Sequence, residues 1–207
     1  MVALYRAEIS GGVEGLVDEA VVRRLIHVAG ALPGPIHGKN GKHSLRRDLA
    51  GYNAAARWSP WVVLTDLNHD QGCAPPLRQV LLARPARFMC FRVVVREIEA
   101  WLFADRERLA RFLAVPIARI PTNPETLPYP KQAMINIARH SRRRDIRKDM
   151  VPRPRSGRAV GPAYTSRLVE FVETHWRPMM AAGTADSLRR CMDRLRELTA
   201  GVTQGHP

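Results

Sequence analysis

Trp61-Val62-Val63-Leu64-Thr65-Asp66-Leu67-Asn68-His69-Asp70 decides the fold. A proline precedes it, its first four residues form an unbroken apolar run, and acids and an asparagine follow. Such a run, bounded by turn formers, is what a parallel strand buried on both faces requires. Phe88–Val95 is a second run of this kind, and Leu4–Ile9 is a shorter one ended by Ser10-Gly11-Gly12. Helical spacing fills the intervals at Asp18–Ala29, Ser44–Arg57 and Pro76–Ala83. A very short further strand is expected around Ile36, inside the Gly- and Pro-rich stretch Gly30–Gly41. Strands alternating with helices predict an α/β fold, a parallel sheet flanked by helices. Right-handed crossovers then bring every strand's carboxyl end to one edge, where ligands of open α/β sheets bind.

Beyond Glu97 only helical periodicity remains, at Glu97–Leu113, Lys131–Arg143, Tyr164–Trp176 and Ala185–Thr199. Pro-containing stretches at Pro116–Pro130 and Met150–Pro162 separate these helices. The expected organisation is an α/β domain over residues 1–115, a basic helical extension packed on it over 116–200, and a frayed tail at 201–207.

The chain has 207 residues, 45% hydrophobic and 25% charged, enough for a real core. No apolar run approaches the ~20 residues that span a bilayer. The N-terminus meets Arg6 too early for a signal peptide. Cys73, Cys90 and Cys191 show no C-x-x-C spacing, which argues against a zinc ribbon or a disulfide framework. A cytoplasmic protein without membrane association is therefore expected.

The formal charge is +14. Residues 1–105 hold 13 basic and 10 acidic side chains, whereas residues 106–207 hold 20 and 9. Between Arg139 and Arg158 stand eight Arg and one Lys against Asp145 and Asp149. Such a block neutralises phosphates and releases counterions, the source of non-specific nucleic-acid affinity. The preference for Arg over Lys is also what a nucleotide-composition bias produces, but that bias leaves the excess of bases over acids unexplained. The expected phosphate contacts are Arg142, Arg143, Arg144, Arg147, Arg153, Arg155 and Arg158, together with Lys39 and Lys42 in a basic loop. That loop, Gly38-Lys39-Asn40-Gly41-Lys42-His43-Ser44, lacks the earlier Gly and the Ser/Thr of a phosphate-binding P-loop.

Three acidic clusters follow the expected strands: Glu14 with Asp18 and Glu19, Asp66 with Asn68 and Asp70, and Glu97 with Glu99. Each has a plain alternative. Glu14, Asp18 and Glu19 favour a helix N-terminus, Asp66, Asn68 and Asp70 are turn formers, and Glu97 and Glu99 can pair with surface arginines. Three such clusters at the ends of one parallel sheet point instead to a hard cation such as Mg²⁺, which takes oxygen ligands. One or two such ions activate water and neutralise a leaving oxygen in phosphodiester cleavage.

Val13-Glu14-Gly15, Val63-Leu64-Thr65-Asp66-Leu67-Asn68-His69-Asp70 and Glu97-Ile98-Glu99-Ala100-Trp101-Leu102 together resemble the Toprim (topoisomerase–primase) superfamily. Within it they resemble a widespread uncharacterised bacterial family of Glu-x-Glu-Ala-Trp type, related to the overcoming-lysogenization-defect nucleases. The resemblance implies a Toprim-like sheet and a Mg²⁺ site, with Mn²⁺ as the alternative ion. It implies Glu14 as general acid/base or ligand, Asp66 as the first aspartate of an Asp-x-Asp pair, and Glu97 and Glu99 as a further acidic pair. Asn68 stands where the second aspartate is expected, and Asp70 lies within reach of the same ion. If Glu97 and Glu99 continue the strand they face the same side; if they are helical, about 200° apart, only one lines the site. The implied activity is a metal-dependent nuclease acting on DNA or RNA in antiphage defence, with an ATPase of the ABC/AAA type as partner. The alternative is a non-catalytic nucleic-acid-binding or assembly subunit with a degenerate site. A homo-oligomer is left open.

Overall fold

A computed structural model describes residues 6–68 and 72–203. In chain order the elements are β1 (Glu8–Val13), α1 (Leu16–Val28), β2 (Leu32–Gly38), α2 (Lys42–Ala55), β3 (Trp61–Asp66), α3 (Ala74–Leu81) and β4 (Met89–Val94). Only helices follow: α4 (Glu99–Phe103), α5 (Arg106–Leu113), α6 (Pro130–Ala138), α7 (Arg144–Met150), α8 (Tyr164–Thr174), α9 (Pro178–Ala181) and α10 (Asp186–Thr203). The four strands are all parallel, in the order β2-β1-β3-β4. The protein is α/β, with helices on both sheet faces.

Right-handed crossovers in this order place α1 on one face and α2 with α3 on the other. Strand side chains alternate accordingly. Val62 and Leu64 of β3 join the core under α1, while Trp61 and Val63 join the core under α2 and α3. On β4, Cys90 and Val94 face the first core and Met89, Phe91 and Val93 the second. Both faces are thus apolar, which is why β3 and β4 read as continuous runs.

The first strand runs over Glu8–Val13, not Leu4–Ile9, and residues 1–5 lie outside the described residues. Ser10-Gly11-Gly12 continue the strand instead of ending it. Gly11 is there because β1 is central: a Cβ on it would lie 2.7 Å from Ile36 Cδ1. The strand around Ile36 is longer than expected, seven residues, because its backbone pairs along β1. At the far end, α10 continues to Thr203, so residues 201–203 are helical rather than frayed.

The helices after residue 115 share the first core with the sheet. Leu168 and Phe171 of α8 and Leu188, Met192 and Leu195 of α10 belong to the same cluster as Val62 and Leu64. α8 lies against α1, and α10 against β4. Polar ties reinforce the join: Trp101 Nε1 donates to Ser187 Oγ at 2.7 Å, and the buried Asp105 accepts the Arg177 backbone N–H at 2.9 Å. Among the described residues no helix is long and apolar enough to cross a membrane.

Between α7 and α8 the chain makes an excursion, pinched at its base where Gly161 N donates to Met150 O and Ala163 N to Asp149 O. A Cβ on Gly161 would meet Asp149 O at 2.3 Å and Met150 C at 2.4 Å. Backbone cannot give way as a side chain does. Gly161→Ala is therefore expected to destabilise the fold by about 2–3 kcal/mol, read as a lower urea midpoint. An unchanged midpoint would show that the loop base is not closed in this way.

Candidate functional site

Strand order reverses between β1 and β3: the chain leaves β1 towards β2 but later enters β3 on β1's other side. The crevice at that point, outside the carboxyl ends, is where open α/β sheets hold ligands. Glu14 directly follows β1 and Asp66 ends β3. Glu14 Oε1 accepts from Thr65 Oγ1 at 2.5 Å and from the Asp66 backbone N–H at 3.1 Å. The first two acidic clusters therefore meet at one point.

A cavity of about 450 Å³ opens there, lined by Glu14, Asp18, Asp66, Glu99, Lys131 and Tyr164. Asp18 stands in the first turn of α1 and is buried. Burial, reinforced by Glu14 and Glu99, pushes its carboxyl up to about 7. Burial also pushes Asp66 well above the usual carboxylate range, with Asp18, Glu99 and Glu14 adding to the effect. Glu99 is raised by burial, against the opposing pull of Lys131. Its Oε1 accepts the Tyr164 hydroxyl at 3.0 Å, and the Lys131 ammonium stands 3.8 Å away. Burial alone would lower the Lys131 amine, but Glu99, Glu97, Asp66 and Asp18 around it hold it above its ordinary value.

Two acceptors in this cavity, Asp66 Oδ1 and Glu99 Oε2, are shielded from solvent and have no hydrogen-bond partner among the described residues. A buried, unpaired carboxylate oxygen is costly unless a proton or cation reaches it. The donor set, all hard oxygen, suits Mg²⁺ or Mn²⁺. Among the described residues no three Asp, Glu, His or Cys side chains already close on one point as ligands. Glu14 Oε1 is instead turned onto β3. The acids are gathered around one cavity but not closed on one point.

Glu97 and Glu99 part company. Arg96 adopts φ +64°, which breaks β4 before α4 begins. Glu99 enters the cavity, whereas Glu97 Oε2 accepts the Lys131 backbone N–H at 2.8 Å at the start of α6. Asn68 does not line the cavity. It sits at φ +49°, a left-handed conformation that Asn tolerates, with its N–H donating to Arg96 O at 2.7 Å and its own O accepting from Arg96 Nη1 at 2.9 Å. Its turn-forming role is the one visible here. His69 and Asp70 lie outside the described residues.

The basic candidates separate in space. Arg142 lines a different cavity with Glu107 and Arg111. Arg143 pairs with Asp145 and Arg147 donates to Ser141 O. Arg144 is exposed at the start of α7. Arg167 of α8 pairs with Asp145 and with Asp149, at 2.7 Å from the latter, so much of the acid within the block is already matched. Arg153, Arg155 and Arg158 are exposed on the pinched loop, whose Ala159 and Val160 line the acidic cavity. Lys39 pairs with Glu19 at 3.0 Å, and Gly41, next to Lys42, lines the same cavity.

The sequence reading counted Asp18 in the first acidic cluster without giving it a role at the site, and it did not assign Lys131 or Tyr164 at all. Asp18 carried a signal: Val21, Val22 and Leu25 put it on the buried stripe of α1, where an acid has no ordinary place. Lys131 and Tyr164 carried none, since only packing brings α6 and α8 to the sheet edge. Compared with known proteins, the chain matches no family model, no curated protein and no solved structure.

Proposed function

We propose that the cavity at the β1/β3 crevice is the active site of a divalent-metal-dependent nuclease. The observation that carries this reading is the convergence of Glu14, Asp18, Asp66 and Glu99 in one cavity with Asp66 Oδ1 and Glu99 Oε2 unpaired. Glu14, Asp18, Asp66 and Glu99 would hold Mg²⁺ or Mn²⁺. The bound ion supplies Lewis-acid stabilisation of phosphoryl charge and lowers the pKa of water. Lys131 faces the same space and neutralises charge on a phosphate oxygen. Tyr164 fixes Glu99 by its hydrogen bond, and the Arg153–Arg158 loop holds the nucleic-acid backbone at the rim. The Toprim-like relationship, a cytoplasmic role in antiphage defence and an ATPase partner belong to this proposal on resemblance alone. A non-catalytic binding subunit was the alternative suggested by Asn68. Asn68 lies off the cavity, so nothing in its position favours that reading.

The test is cleavage of plasmid DNA and of tRNA by purified protein, with Mg²⁺ or Mn²⁺ and with EDTA. Cleavage is expected with the metals and none with EDTA. Changing Arg153, Arg155 and Arg158 together to Ala should weaken substrate binding and flatten its salt dependence by about 2 in log–log slope, with Mg²⁺ affinity unchanged. Cleavage that persists in EDTA, or no cleavage of either substrate, sinks the reading.

A further inference from the structure

A second cavity, about 770 Å³, wraps the free edge of β4 between α3 and the first turn of α10. Four arginines from separate elements line it: Arg78 on α3, Arg92 on β4, Arg96 just beyond β4, and Arg190 on α10. Three are anchored. Arg92 Nη2 donates to Arg190 O at 2.9 Å, Arg96 Nη1 to Asn68 O at 2.9 Å, and Arg190 Nε pairs with Asp186 at 2.7 Å. The Arg78 side chain makes no hydrogen bond or ion pair among the described residues. Its Nε and that of Arg92 are shielded from solvent without a partner. Among the described residues two acids share the cavity, Glu125 and Asp186. Glu125 is already engaged by the backbone N–H groups of Asp186 and Ser187 at 2.9 and 3.1 Å. The arginines therefore exceed the free acids.

Guanidinium forks match phosphoryl oxygens well, because each offers two parallel donors, and several together suit the multiple charge of a phosphate better than the single charge of a carboxylate. The cavity is far larger than an inorganic phosphate needs and falls in the size range of small-molecule sites. Leu67, Val93 and Pro75 supply an apolar wall against which a base or sugar can lie. We propose that this cavity binds a nucleotide through its phosphate. The nucleotide is either free or the phosphorylated end of a strand, since both present the same chemistry. No residue lining it lines the acidic cavity, so this inference stands apart from the nuclease reading.

Calorimetric titration of the full chain in EDTA tests it, with adenosine 5′-monophosphate, adenosine, and a thymidine tetranucleotide with or without a 5′-phosphate as probes. At least one phosphorylated probe is expected to bind at least about tenfold more tightly than its unphosphorylated counterpart. Arg78→Gln should weaken that binding at least about tenfold, with melting unchanged within ~2 °C because no described residue pairs with the Arg78 side chain. Arg190→Gln gives an independent second variant. Tighter binding of the 5′-phosphorylated tetranucleotide identifies a strand end, and tighter binding of the mononucleotide a free nucleotide. Binding of neither phosphorylated probe, equal binding with and without phosphate, or unchanged binding by both variants overturns the proposal.

Discussion

Asp66→Asn is expected to lower cleavage about a thousandfold, the scale on which removing one electrostatic group from a transition state acts, while raising the melting temperature at pH 8. The two effects share one cause. Asp66 is held among Asp18, Glu99 and Glu14 with one oxygen unpaired, so its charge opposes folding and favours an incoming cation. Asparagine keeps the shape and the backbone N–H that Glu14 accepts, removes the charge, and offers donors to the neighbouring carboxylates. Stability should rise by a few degrees in differential scanning calorimetry without metal, and Mg²⁺ should no longer raise it. A variant that cuts normally would remove Asp66 from the site. One that both fails to cut and melts earlier would show Asp66 to be structural.

Without divalent metal, wild-type stability should fall as pH rises from 4 to 8, and Mg²⁺ should restore it mainly at the upper end. Asp18 sets the sign. Its carboxyl is pushed up to about 7 in the fold from an ordinary value of 3.8. The folded state therefore holds the proton more tightly than the unfolded chain. The associated stability is fully present below pH 3.8 and is lost as pH passes through about 7. That interval corresponds to a loss on the order of 4 kcal/mol. Asp66 and Glu99 are shifted in the same direction. Because ligand carboxylates must be deprotonated, Mg²⁺ competes with protons. At 10 mM Mg²⁺ the melting temperature should rise by several degrees at pH 8 and hardly at all at pH 5. Asp18→Asn should flatten the metal-free profile. An equal Mg²⁺ effect at both pH values would mean that the ion binds elsewhere.

The strands were legible where burial is two-sided, because Val62-Val63-Leu64 and Met89-Cys90-Phe91 leave no polar face to confuse with a helix. β1 was misplaced because glycine reads as a strand end, whereas here Gly11 allows β2 and α1 to pack close. Of the site, Glu14 and Asp66 were visible because each stands at a strand end, and Glu99 because it follows the β4 run within a few residues. The choice between Glu97 and Glu99 was not, since it turns on the left-handed Arg96. Tyr164 reaches Glu99 across 65 residues of chain, a distance that local pattern cannot carry. Net charge pointed to Arg142–Arg147, but many of those side chains are matched by acids or carbonyls. Of the basic block, it is the pinched loop that reaches the acidic cavity, through Ala159 and Val160.

The shared core also sets a schedule. α1 and the four strands are complete by Val94, yet the face they present is covered by α8 and α10. At roughly 5–20 residues per second, synthesis takes several further seconds to deliver Tyr164 and more to deliver α10. Until then the ribosome carries a sheet whose α1 lacks the cover of α8 and whose β4 lacks that of α10, with a cavity lacking Tyr164.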